Sequence, residues 1–179
     1  MRQVLADCGW EIVSLEQFPD APEVVEDGVT AAANAIKKAL AIARHTNLVT
    51  LADDTALEVD ALGGAPGVCS SRYAGPGATY ADNVRKLLRD LTGIPLEQRT
   101  ARFRCVIAVA EGERVKTVEG VCAGLITLAP RGDGGFGYDP VFLVPAMRRT
   151  FAEMSSEQKH RVSHRGEALR KAREVLAGW

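Results

Sequence analysis

Two adjacent carboxylates, Asp53 and Asp54, follow directly on the apolar run at residues 48–51. A strand that carries paired acids to its end is one way to build an active site in an α/β sheet, because ligands sit at strand termini. Alone, such a pair suits a solvated turn or a helix cap better. Three further polar clusters ask for a common explanation. Glu26 and Asp27 precede Gly28 in a turn. Gly132, Gly134, Gly135 and Gly137 surround Phe136 and lead into Tyr138 and Asp139, and Lys159 precedes His164 and Arg165. Acids on separate elements suit a hard cation such as Mg²⁺, which takes oxygen ligands and leaves positions for water and substrate phosphates. Lys38, Lys159 and Arg72 suit the phosphates themselves. An exposed Phe136 ring offers a surface on which a base can stack. The chemistry these residues suggest is metal-assisted attack of water on phosphorus, with one carboxylate orienting or deprotonating the water. No GxxxxGK[ST] loop and no GxSxG serine is present, which argues against P-loop and serine-hydrolase readings.

Positioning these groups falls to a set of short elements. The pattern predicts a strand over 10–15 and a loop at 18–22. It predicts an alanine-rich helix over 31–46, capped by Thr30, with Ala35, Ile36, Ala39, Leu40 and Ala43 on its buried face. On that helix Lys38 by itself reads as a surface lysine. A strand over 48–51 ends at the two aspartates, and an alternating extended segment follows at 57–61. Residues 79–91 read as a helix with Val84, Leu87, Leu88 and Leu91 inward. Residues 100–110 and 114–122 read as a hairpin turning at Glu111-Gly112, with a further strand at 123–128. The glycine loop suits either close backbone approach to a ligand or simple flexibility. Ser155 caps a short helix from 156, and Ser163 precedes a last helix over 164–177 with Leu169 and Leu176 inward. Residues 1–8 read as the end of an amphipathic helix stopped by Gly9.

The bulk properties fit one globular domain over 1–179: 179 residues, 46% hydrophobic and 25% charged. A net charge of −1 with both signs mixed gives no basic field for a nucleic-acid polymer or a membrane surface. No apolar run approaches membrane-spanning length, and the N-terminus lacks the form of a signal peptide. Cys8, Cys69, Cys105 and Cys122 lie far apart with no CxxC pair, which speaks against zinc and for a reduced, cytoplasmic setting.

Four segments, LADDTALEVDALGGAPGVCSSRYAG, TARFRCVIAVA, PRGDGGFGYDPVF and TFAEMSSEQKHRVSHRG, resemble in content and order the inosine triphosphate pyrophosphatases, also called XTP/dITP diphosphatases. The resemblance implies an elongated α/β fold, with a long mixed sheet, flanking helices and two lobes around a central substrate cleft. It implies a homodimer and hydrolysis of ITP, dITP and XTP to monophosphate and pyrophosphate, clearing deaminated purines from the nucleotide pool. By position, Asp54 matches the catalytic base and, with Glu26, a Mg²⁺ ligand; Asp53 is a further candidate ligand. Lys38 matches a substrate-binding lysine, against the surface reading above, and Thr55 matches a substrate-contacting serine. Phe136, Gly137, Tyr138 and Asp139 match the base-binding segment, and Lys159, His164 and Arg165 the remaining nucleotide contacts.

Compared with that family, the sequence begins inside the helix that follows the family's first strand and TxNxxK or SxNxxK phosphate loop. Ala31 and Ala33 stand where an aromatic residue and a glutamate are frequent. The first expectation is a wrongly placed start codon, with the strand and loop encoded upstream; the competing one is a weakened or inactive hydrolase that still binds nucleotide. A Maf-type pyrophosphatase is the third reading, and the SHR motif argues against it.

Overall fold

Residues 105–110, CVIAVA, have no polar side chain, and a strand with that composition needs cover on both faces. The computed structural model, which describes Leu5 and residues 9–179, shows how that cover is supplied. The helix expected over residues 1–8 lies outside the described residues except for Leu5. The chain divides into two compact units. One holds the residues up to Asp54 together with 105–120 and 164–179, and the other holds 55–104 and 121–163.

In the first unit, helix α1 (Ala31–Thr46) packs Ala31, Ala35, Ala39 and Ala43 against Val106, Ala108 and Ala110 of strand β3 (Thr100–Glu111). Alanine at every fourth position lets helix and strand backbones approach closely. Ile36 and Leu40, expected on the buried face, are half-buried at its margin. Thr30 Oγ1 accepts from Ala33 N at 3.1 Å as N-cap, and Asn47 closes the helix in the left-handed region at φ 53°. The alternate residues Cys105, Ile107 and Val109 pack with Ala168, Leu169, Ala172 and Leu176 of the C-terminal helix (His164–Ala177). The expected strand at 10–15 is not formed. Residues 10–14 carry no regular structure, and Leu15–Gln17 is a single 3₁₀ turn. An apolar run becomes a strand only where a ladder partner exists, and here Trp10, Val13 and Leu15 remain exposed.

The second unit is built on a larger, aromatic core. Helix α2 (Tyr80–Asp90) opens on a capping box between Thr79 and Asp82 and buries Val84, Leu87 and the adjoining Leu91. Phe103, Phe142 and Phe151 cluster with centroid separations of 4.6, 4.9 and 6.0 Å, the first two pairs tilted and the last stacked. Arg99 is buried, and its guanidinium donates to the carbonyls of Leu91, Ile94 and Thr127, closing the C-terminal end of α2. Helix α3 (Ser156–Val162) starts directly after its N-cap, Ser155, as expected; the C-terminal helix is α4.

Six strands form one sheet in the order β2-β1-β3-β4-β5-β6. The remaining strands are β1 (Thr50–Val59), β2 (Pro66–Gly67), β4 (Arg114–Ile126), β5 (Phe142–Val144) and β6 (Arg149–Thr150). β2 lies antiparallel to β1 with Leu57 opposite Gly67, and β5 lies antiparallel to β4 and to β6. Two expectations change here. β1 does not stop at the aspartates but runs through them to Val59. Aspartate is disfavoured in strands, but tertiary context can override that preference, and both aspartates of β1 have cationic partners. Likewise, the segment expected as a separate strand at 123–128 continues β4 as far as Ile126.

Candidate active site

Successive side chains of a strand point to opposite faces, and β1 uses this to separate its two acids within the first unit. Asp54 turns towards α1 and Asp53 towards α4. On the α1 side the Lys38 ammonium lies 2.6 Å from Glu26 Oε1, 2.6 Å from the Asp53 carbonyl and 3.4 Å from Asp54 Oδ1. Its side chain is only 21% exposed, so the surface-lysine reading fails. Asn34, one helical turn before Lys38 on the same face, donates from Nδ2 to Asp54 Oδ2 at 3.4 Å and accepts the Gly28 N–H at 2.7 Å. A Cβ on Gly28 would lie 2.6 Å from Asn34 Oδ1, so a larger residue there would displace the amide on which the turn after Glu26-Asp27 closes. Sequence reasoning missed Asn34. The signal was present: an amide four residues before the lysine in an otherwise alanine-rich helix.

Burial pushes the Asp54 carboxyl up, and the neighbouring charge of Glu26 adds to this. Lys38 and the Asn34 hydrogen bond oppose it, and the net position is above the ordinary aspartate value of 3.8. For Lys38, burial alone would lower the ammonium. The bond to Glu26 and the charges of Asp54, Glu26 and Asp53 outweigh it and hold Lys38 above 10.5. A half-buried carboxylate raised in this way and flanked by a fixed cation is suited to accept a proton from water. On the other face of β1, Asp53 Oδ2 accepts from Arg165 Nε at 2.9 Å and Nη2 at 2.6 Å. His164, beside it, is 5% exposed.

Glu26 and Asp54 present carboxylate oxygens around one ammonium, a hard, all-oxygen pair, and Mg²⁺ is characteristically held by one or two protein carboxylates plus water and phosphate oxygens. Among the described residues no three His, Cys, Asp or Glu side chains form a ready cage. The residues therefore fit a cation shared with a phosphate ligand rather than one enclosed by protein alone.

The second unit gathers a different set. Asp139, 3% exposed, accepts the Phe136 N–H at 2.8 Å and the Lys159 ammonium at 2.5 Å. Gly135, at φ +75°, makes this possible: a Cβ there would lie 2.0 Å from Asp139 Oδ2. Lys159 Nζ lies 4.7 Å from the centre of the Phe136 ring, which is half exposed and has Tyr80 at 6.3 Å. Tyr138 is buried in the core and donates its hydroxyl to the Ser70 carbonyl at 2.9 Å, so its side chain braces the loop. Gly137 takes φ +62°. Arg72, exposed, ends the 3₁₀ turn Ser70–Arg72. Thr55 Oγ1 is buried without a hydrogen-bond partner among the described residues. Tyr80 was not anticipated: its position at the first turn of α2 gives no hint of a neighbour 56 residues away.

The fold and these groups define an α/β protein with an acid–lysine–amide cluster in one unit and an aromatic–lysine–acid loop in the other. The chain belongs to the Ham1 family, whose sequence profile matches residues 1–175. It is 54% identical over 177 residues to a dITP/XTP pyrophosphatase of Desulforamulus reducens, covering 98% of this chain and 88% of the relative. It is 46% identical over 176 residues to the dITP/XTP pyrophosphatase of Bacillus subtilis, covering 98% and 89%. A solved HAM1 protein from Coxiella burnetii superposes with a TM-score of 0.91 at 42% identity, over 99% of this chain and 91% of that one.

Proposed function

We propose that this protein hydrolyses the non-canonical purine nucleoside triphosphates dITP, XTP and ITP to monophosphate and pyrophosphate. The observation that carries the reading is the raised Asp54 carboxylate set between Lys38, Asn34 and Glu26, in a chain about half identical to dITP/XTP pyrophosphatases. Asp54 takes a proton from the attacking water. The water oxygen bonds to the α-phosphorus as the bond from that phosphorus to the α–β bridging oxygen breaks, and pyrophosphate leaves with the electron pair. Lys38 neutralises phosphate charge, and Glu26 and Asp54 are the residues that would hold Mg²⁺, which supplies Lewis-acid neutralisation of the phosphate oxygens. Asn34 keeps Asp54 oriented through its bond to Gly28. Thr55 offers its buried hydroxyl to the substrate, and Arg72 a further cation to the phosphates.

For the base we assign stacking to Phe136, with Lys159 fixed over the ring by Asp139, and the loop held by Gly137 and Tyr138. His164 and Arg165 supply donors. A 6-oxo purine presents an acceptor where adenine presents an amino group, so the wrong base leaves a polar group unmet at a cost of about 1–3 kcal/mol. The reading carries with it a cytoplasmic homodimer with neither nucleic-acid polymer nor membrane as partner. No helix among the described residues is long and apolar enough to cross a membrane.

The test is pyrophosphate release from dITP, XTP and dATP with and without Mg²⁺. Turnover of the first two that disappears in EDTA supports the proposal. Tight binding of inosine monophosphate with no turnover of any triphosphate overturns it in favour of a nucleotide-binding protein. Asp54→Asn is expected to lower kcat on the order of 10²–10⁴-fold.

A further inference from the structure

We propose that Asp53 is a positioning residue that holds the Arg165 guanidinium, and that it takes no part in binding the metal. The proposal rests on the pyrophosphatase reading for Arg165's contact with the nucleotide, but the pair itself stands on geometry. A single oxygen of Asp53, Oδ2, accepts two N–H bonds from Arg165, at 2.9 and 2.6 Å, and the Cys105 thiol approaches it at 3.9 Å. Both side chains are largely withdrawn from water, Asp53 to 17% and Arg165 to 33% exposure. Two N–H bonds from one planar group fix its orientation as well as its place. The alternation of β1 sends Asp53 to the face opposite Asp54, away from Glu26 and Lys38, so adjacency in sequence does not make the two aspartates a joint ligand pair.

The other end of Arg165 is fixed by packing. It is the second residue of α4, whose first turn lies directly on Gly120 of β4. A Cβ at Gly120 would stand 2.1 Å from the His164 carbonyl oxygen and 2.5 Å from the Ala168 nitrogen. Those neighbours are backbone and have little room to give. Gly120 thus sets where the arginine starts, and Asp53 sets where its head group ends.

The experiment uses the full chain and measures dITP hydrolysis as a function of both dITP and Mg²⁺. For Asp53→Asn the Mg²⁺ midpoint stays within about twofold of wild type, while KM for dITP rises on the order of tenfold. For Glu26→Gln the Mg²⁺ midpoint shifts by about tenfold or more. Arg165→Lys, which cannot make the two-pronged contact, repeats the KM defect with Asp53 intact. Adding Asp53→Asn to Arg165→Gln changes KM by less than about threefold, because the pair acts as one unit. A Mg²⁺ midpoint moved by Asp53→Asn as far as by Glu26→Gln, or full additivity with Arg165→Gln, overturns the proposal. A readout independent of catalysis separates this from the functional reading. The Arg165 Nε–H resonance, recorded without nucleotide or metal, is slowly exchanging in wild type and in Glu26→Gln but lost in Asp53→Asn. Its survival in Asp53→Asn overturns the pair. A wild-type chain without hydrolytic activity sinks the pyrophosphatase reading and leaves the pair to be judged by the resonance.

Discussion

Asp54 combines a proposed chemical role with an energetic cost. Its folded carboxyl titrates above 3.8, so the folded chain holds that proton more tightly than the unfolded one. The stability associated with the proton is full at pH values below 3.8 and is lost as pH rises through the folded pKa. At neutral pH the ionised group is therefore a liability, and Asp54→Asn is expected to raise Tm there even as it lowers kcat. The advantage should vanish in acid, and thermal melts across pH 3 to 8 check it; a Tm unchanged by the substitution at every pH would contradict the raised carboxyl. The acidic limb of kcat/KM should correspondingly lie above pH 3.8. Tyr138 behaves differently. Burial pushes its hydroxyl well above the usual tyrosine range, and its single bond goes to the Ser70 carbonyl. Tyr138→Phe should cost about 1 kcal/mol in denaturant unfolding, the loss of one hydrogen bond to a half-buried carbonyl.

Strand β3 records the division into units within its own side chains. From 100 to 104 it alternates, with Ala101 and Phe103 buried while Arg102 and Arg104 pair with Glu58 on the other face. From 105 to 110 every residue is buried, odd ones against α4 and even ones against α1. The switch from period 2 to a continuous apolar run falls at 104/105, where the unit boundary lies. The glycine-rich loop carries the sharpest expectation at this scale. Gly135→Ala combines a positive φ with a collision against Asp139 Oδ2, so it should release the Phe136–Asp139–Lys159 arrangement. The expected loss is about 1–3 kcal/mol of stability, with weakened binding of inosine monophosphate measured by calorimetry. Gly137→Ala, whose added Cβ would meet nothing within 4 Å, should show only the milder cost of its φ.

For the whole molecule, ligand linkage offers a test that needs no turnover. Anything bound by the folded chain alone stabilises it by RT ln(1 + [L]/Kd), about 2.7 kcal/mol at a hundredfold excess over Kd. Inosine monophosphate with Mg²⁺ should therefore raise Tm, and adenosine monophosphate should do so far less. Equal shifts from the two would argue against the proposed recognition of the 6-oxo group.

Most elements were legible from periodicity and caps. The bounds of α1 and α4, the start of α3, the hairpin (its turn one residue on, at Gly112-Glu113), and Leu169 and Leu176 as core residues follow from Thr30 and Ser155 as caps and from the spacing of apolar residues. These signals are local, so the chain carries them without its neighbours. Tertiary structure alone decided whether residues 10–15 would pair, whether β1 would stop at its aspartates, and whether Lys38 would sit on the surface. It also decided that Asp53 and Asp54, adjacent in sequence, serve different partners. Each of those outcomes depends on a ladder partner or a countercharge brought from a distant part of the chain, and local propensity is blind to both.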